Sequence, residues 1–106
     1  MIPKQITVGT TTYTIEHRNG LIDGKYQGEC DYASQTITLV KGYKMPLPNG
    51  NVMAVRYGHK ERHNTFWHEL THAILYDMGH NLHDNEHFVT AFADRLSNAI
   101  DSAKLG

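Results

Sequence analysis

The chain carries a single cysteine, Cys30, among 106 residues. One thiol excludes an internal disulfide framework, and it equally excludes a cysteine-based zinc cluster within one chain. No run approaches the roughly 18 to 20 apolar residues of a membrane-spanning helix. The start, Met1-Ile2-Pro3-Lys4-Gln5, lacks the apolar core of a signal peptide, so a soluble cytoplasmic chain is expected. Excess charge is missing too: ten Lys and Arg stand against eleven Asp and Glu, for a formal net charge of −1. Nothing in that balance favours electrostatic capture of nucleic acid or of an anionic membrane, and a polypeptide partner fits better. With no repeat, low-complexity tract or linker, residues 1–106 read as one domain with a modest core.

Histidine is what the chain has in quantity, eight residues in all, and two of them fall in the run His68-Glu69-Leu70-Thr71-His72. On a helix, residues at i and i+4 share one face, so both imidazoles reach a single ion while the glutamate between them projects alongside. Neutral imidazoles bind Zn²⁺ without cancelling its charge, which leaves a bound water strongly activated. Glu69 is then placed to act as general base. The expected cofactor is one zinc per chain.

The surrounding residues support a helix over about 62–78. At about 100° per residue, Phe66, Trp67, Leu70, Ala73, Ile74 and Met78 form one apolar arc. His68, Glu69, His72 and Tyr76 lie on the opposite arc, with Leu75 at its border. Asn64 or Thr65 is a candidate cap, the stretch Lys60 to His63 adds a possible preceding turn, and Gly79 supplies a stop.

A catalytic zinc needs a third protein ligand and an open position. A second helix is expected over about 84–104, capped by Asp84 or Asn85, with Val89, Phe92, Ala93, Leu96 and Ile100 facing the core. Counting back three from Val89 reaches Glu86, which therefore points inward at the first turn and is the favoured third ligand. His87, on the flank with Ala91, Asp94 and Asn98, is its competitor. His59, His63, His80 and His83 read as loop polar groups near an active-site mouth, and His17 as an unrelated strand residue. Tyr57, His59, His63 and Tyr76 are the nearby donors for an oxyanion, and spacing does not choose among them.

The N-terminal half alternates β-branched and polar residues. Gln5 to Val8 and Thr12 to Ile15 read as a hairpin around Gly9-Thr10-Thr11, and Tyr26 to Asp31 with Thr36 to Val40 as a second pair around Tyr32 to Gln35. Residues 41–58, with Gly42, Pro46, Pro48, Asn49 and Gly50, have the chemistry of a mobile loop. The fold class is α+β: a small antiparallel sheet of three or four strands, over about 5–40, packed on two long helices. Thr36 to Val40 is the candidate edge strand for an extended peptide.

Thr65-Phe66-Trp67-His68-Glu69-Leu70-Thr71-His72-Ala73-Ile74-Leu75, followed by Asn85-Glu86-His87-Phe88-Val89 and Phe92-Ala93, resembles the small zincin-like metallopeptidases encoded by bacteriophages and prophages. These are distant relatives of the SprT-like and IrrE/ImmA-like families. The resemblance is strongest over about residues 57 to 100. It implies His68 and His72 as ligands, Glu69 as catalytic base, Glu86 as a gluzincin-type third ligand, and peptide-bond hydrolysis in the host bacterial cytoplasm. The chain lacks the four-cysteine zinc ribbon found in many SprT-like proteins, and the extended pattern of metzincins is absent too. The alternative expectation is an inactive, zinc-stabilised protein-binding module of the same fold; hydrolysis of a non-peptide bond has no specific support.

Overall fold

Thr36–Val40 is the most continuous β-branched and apolar run of the N-terminal half, and it lies at the centre of the sheet. The computed structural model describes residues 2–20 and 27–103. In chain order it contains β1 (Gln5–Val8), β2 (Thr11–Arg18), β3 (Gly28–Asp31), β4 (Thr36–Val40), β5 (Gly42–Pro46), β6 (Val52–Arg56), α1 (His59–Asp77) and α2 (Glu86–Ser102). The fold is α+β: a four-stranded sheet, a separate two-stranded sheet and two helices. Tyr26 and Lys104, expected ends of a strand and of the second helix, lie outside the described residues.

Sheet order is β1-β2-β4-β3. β1 and β2 form the expected hairpin, with Ile6 opposite Tyr13. β3 and β4 form the second pair, with Cys30 opposite Ile37. Their turn is closed by the Asp31 carboxylate, which accepts the N–H groups of Ala33 and Ser34 at 3.0 and 3.2 Å. Those bonds hold the Asp31 carboxyl below its ordinary range.

Two expectations about this sheet are corrected. The sheet is not wholly antiparallel, because β2 and β4 run parallel from Thr14 opposite Thr36 to Arg18 opposite Val40. Alternation of side chains fixes which face of a strand is buried and says nothing of its neighbour's direction. Nor is Thr36–Val40 an edge. Ile37 to Val40 are all buried, the signature of a strand covered on both faces. The edge strand beside it is β3.

The expected loop over 41–58 is also corrected, since it contains the β5–β6 hairpin, with Met45 opposite Met53. Its turn is tied by Leu47 N–H to Asn51 O at 2.8 Å, and Gly50 takes a positive φ of 86°. Met45, Val52 and Met53 are exposed, so no one-sided apolar pattern betrays these strands, and Pro46 and Pro48 read as breakers.

α1 begins three residues earlier than expected. Gly58 is its N-cap, and the Glu61 carboxylate reaches back to accept the Gly58 N–H at 3.2 Å. Thr65, an expected cap, lies inside the helix and donates to Glu61 O. At the other end Gly79, at φ 65°, donates to Tyr76 O while His80 donates to Leu75 O. These paired bonds satisfy carbonyls that the last turn leaves free.

The core joins Val8, Tyr13, Ile15, Ile37 and Leu39 of the sheet to Phe66, Leu70 and Ala73 of α1. α1 is covered on two sides, by the sheet and by α2. Its buried surface therefore turns further round than the apolar arc implied: Leu75, Glu69, Thr71 and His72 are buried, while Ile74 and Met78 are exposed. α2 likewise packs through small side chains. Val89, Ala93 and Ser97 are its buried residues, and the Ser97 hydroxyl donates to Asn64 Oδ1. Phe92 and Ile100, expected in the core, are about half exposed. Contact through small residues lets the helices approach closely and rolls the two bulky side chains outward. No helix among the described residues is long and apolar enough to cross a membrane.

Candidate metal centre

Three potential ligand atoms meet where the two helices face each other. His68 Nε2 is 3.0 Å from Glu86 Oε2, and His72 Nε2 is 2.7 Å from Glu86 Oε1. One ligand atom from each of these three residues can be chosen so that all lie within 4.8 Å of one another. The i, i+4 spacing on α1 supplies the histidines. Glu86 comes from the first turn of α2, which is set by Asn85: its Oδ1 accepts the Phe88 N–H at 2.9 Å. That capping bond fixes where the helix starts and hence where Glu86 points.

The chemistry of the donor set fits a cation. His72 Nδ1 lies 2.6 Å from the carbonyl of His83. A carbonyl only accepts, so Nδ1 carries the proton, and a neutral ring then presents a lone pair at Nε2. That lone pair faces a carboxylate oxygen. Acceptor against acceptor at 2.7 Å is repulsive unless a proton or a metal ion lies between them. A carbonyl that fixes the tautomer of a histidine in this way is the usual outer support of a metal-binding imidazole. His72 is buried, His68 is partly covered, and Glu86 is open to solvent.

Glu69 projects from α1 into the same cavity, which has a volume of about 660 Å³. Only 7 % of its surface is exposed. Burial, with smaller repulsion from Glu86 and Glu29, pushes its carboxyl up to about 8. Close approach of α1 to β3 seats it there. A side chain at Gly28 would stand 2.7 Å from the Thr65 methyl, 2.8 Å from Thr38 O and 3.4 Å from the Glu69 Cγ. Glycine at this strand position is what lets the helix lie so near the sheet.

His87 is exposed and does not line the cavity. Tyr57, His59, His63 and Tyr76, the expected oxyanion donors, do not line it either. Tyr57 lies against Tyr43, and His59 and His63 border a different pocket. Tyr76 stacks on Tyr32 with ring centres 3.9 Å apart, and it is Tyr32 that faces the cavity. The Tyr32 hydroxyl donates toward Asp84 Oδ1 at 3.2 Å and His83 O at 3.4 Å. Burial and the Asp84 charge raise it well above the ordinary tyrosine range.

The contribution of His83 had no signal in the sequence, because its carbonyl acts and not its ring. The loop 80–85 that presents this carbonyl is held by its own histidines: His80 Nδ1 accepts the Leu82 N–H at 3.0 Å, and His83 Nδ1 donates to His80 O at 2.9 Å. Gln27, Glu29, Asn64, Thr90 and Asp94 also line the cavity, and the sequence reading placed none of them at the site. Comparison with known protein families, with curated proteins and with solved structures gave no match.

Proposed function

We propose that this chain is a zinc-dependent peptidase in which His68, His72 and Glu86 hold the ion and Glu69 is the general base. The single observation that carries the reading is the convergence of two imidazole nitrogens and one carboxylate, with a second, buried carboxyl beside them. When bound, zinc supplies Lewis-acid activation of a water and polarisation of a carbonyl. His72 is held in the ligating tautomer by the His83 carbonyl. Glu69 takes the proton of the attacking water and passes it to the leaving amine. A carboxyl raised by burial suits both transfers near neutral pH. An extended substrate lies along β3, which lines the cavity from residue 28 to residue 30 and among the described residues pairs only with β4. The likeness of residues 65–75, 85–89 and 92–93 to phage-encoded zincin-like peptidases supports the same reading, and with it a cytoplasmic setting.

Glu69→Gln keeps the shape of the side chain and removes its basicity. The variant is expected to retain zinc and to lose cleavage of an unfolded protein substrate by about 10²- to 10⁴-fold. Cleavage at the wild-type rate would remove Glu69 from this role. If cleavage is absent from the wild type while zinc removal still unfolds the chain, the zinc-stabilised binding module is the better description.

A further inference from the structure

The first two turns of α1 carry a second cluster, distinct from the metal centre. His59, Arg62 and His63 lie on the helix arc that continues through Phe66, Leu70 and Ala73, the arc turned toward the sheet. At this end the sheet offers His17 of β2 in place of an apolar side chain. These four residues and Ile2 line a pocket of about 410 Å³.

Arg62 gives the cluster a positive charge, and no described residue of the pocket supplies a counter-charge. Arg62 is half-buried, its guanidinium contacts His17 Nδ1, and its Nε is shielded from solvent with no hydrogen-bond partner. Among the described residues no carboxylate lines the pocket, and none of the ion pairs involves Arg62. A guanidinium cannot accept a hydrogen bond, so His17 Nδ1 accepts and the ring is neutral. Burial first, then the nearby charges of Arg62 and Lys41, holds this imidazole below its ordinary range. The rings of His59 and His63 lie 4.2 Å apart.

A metal ion does not suit the arrangement. Arg62 engages the lone pair of His17, His63 Nδ1 is spent on the carbonyl of His59, and the only converging ligand group among the described residues is His68, His72 and Glu86. A partly buried cation without a counter-charge is costly, and an anion offsets that cost. Guanidinium and imidazole N–H groups are the donors that suit a multiply charged oxyanion.

We propose that this pocket binds a phosphate-class oxyanion, as the free ion or as a phosphoryl group on a larger ligand. The test is a titration of the full chain with sodium phosphate at constant ionic strength, following the imidazole resonances of His17, His59 and His63 and the Arg62 Nε–H by NMR. Saturable shifts are expected at these four side chains, with Kd on the order of 1 mM. Arg62→Gln should weaken binding by about tenfold or more, and Arg62→Lys by less. In a parallel arm, phenyl phosphate binding more tightly than phosphate identifies a phosphomonoester ligand, and equal binding identifies the free ion. Shifts that fail to saturate, that sodium chloride reproduces, that are confined to His68 and His72, or that persist unchanged in Arg62→Gln would overturn the proposal.

Discussion

Glu69 is the residue on which burial and reactivity meet. In the metal-free chain its carboxyl is buried near two other carboxylates, and it ionises at about 8 rather than in the ordinary carboxylate range. The folded state therefore holds a proton that the unfolded chain gives up, and between about pH 4.5 and pH 8 the native form binds more protons. Stability of the metal-free chain falls as pH rises through that window. Glu69→Gln removes the titrating group, so the metal-free variant is expected to be more stable than wild type at pH 8.5, by on the order of a few kcal/mol, with the difference vanishing near pH 4. Urea unfolding of both chains with chelator, at the two pH values, measures this. Equal stability at pH 8.5 would show that Glu69 is not buried beside its neighbours as described. The placement of His68, Glu69 and His72 together at one cavity was legible, because helical spacing sets which residues of α1 lie side by side. Glu86 was legible from one more step, its three-residue offset from Val89. The His83 carbonyl and Tyr32 were not, since one is main chain and the other enters through a strand turn distant in sequence.

At the scale of elements, the centre depends on where α2 begins. Asn85 caps that helix and Glu86 is its first residue. Asn85→Ala is expected to cost about 1 kcal/mol of stability. The first turn that frays in consequence is the one carrying Glu86, so zinc affinity should fall with stability, as competition with a chromogenic chelator would show. Unchanged affinity alongside the lost stability would mean that Glu86 is not held by the cap. Helix positions came through the sequence well: the second helix was expected within two residues of its observed ends, and the first within three. Their faces came through less well. A periodic pattern marks one buried stripe, whereas α1 is buried on two sides and α2 meets it through Val89, Ala93 and Ser97, leaving Phe92 and Ile100 outside. The β5–β6 hairpin was hidden for the opposite reason, having little burial to leave a pattern.

For the whole molecule, a net charge near zero conceals an uneven distribution. Among the described residues five carboxylates, those of Glu29, Glu69, Asp84, Glu86 and Asp94, line the cavity at the candidate metal centre, and no Lys or Arg does. Glu29 pairs with Arg18 at 3.3 Å, and zinc would offset two further charges and still leave the cavity acidic. On the peptidase reading, substrates with Lys or Arg beside the scissile bond should be cleaved with a higher kcat/KM than the same sequences carrying Glu, by about tenfold at low salt and less at high salt. Peptide pairs differing only at those positions test this, and a preference for the acidic members would contradict it. The α+β class was legible from the order of strand-like and helix-like segments. The parallel β2–β4 pairing was not, because topology joins segments whose local patterns carry no record of each other.

The most direct test of the central claim is the zinc content of the purified chain after exhaustive dialysis, read by elemental analysis. The account predicts about one zinc per chain in the wild type and in His87→Ala, and a loss of most of it in His72→Ala and Glu86→Ala. A folded wild-type chain without zinc, or a Glu86→Ala variant that keeps its full complement, would contradict it.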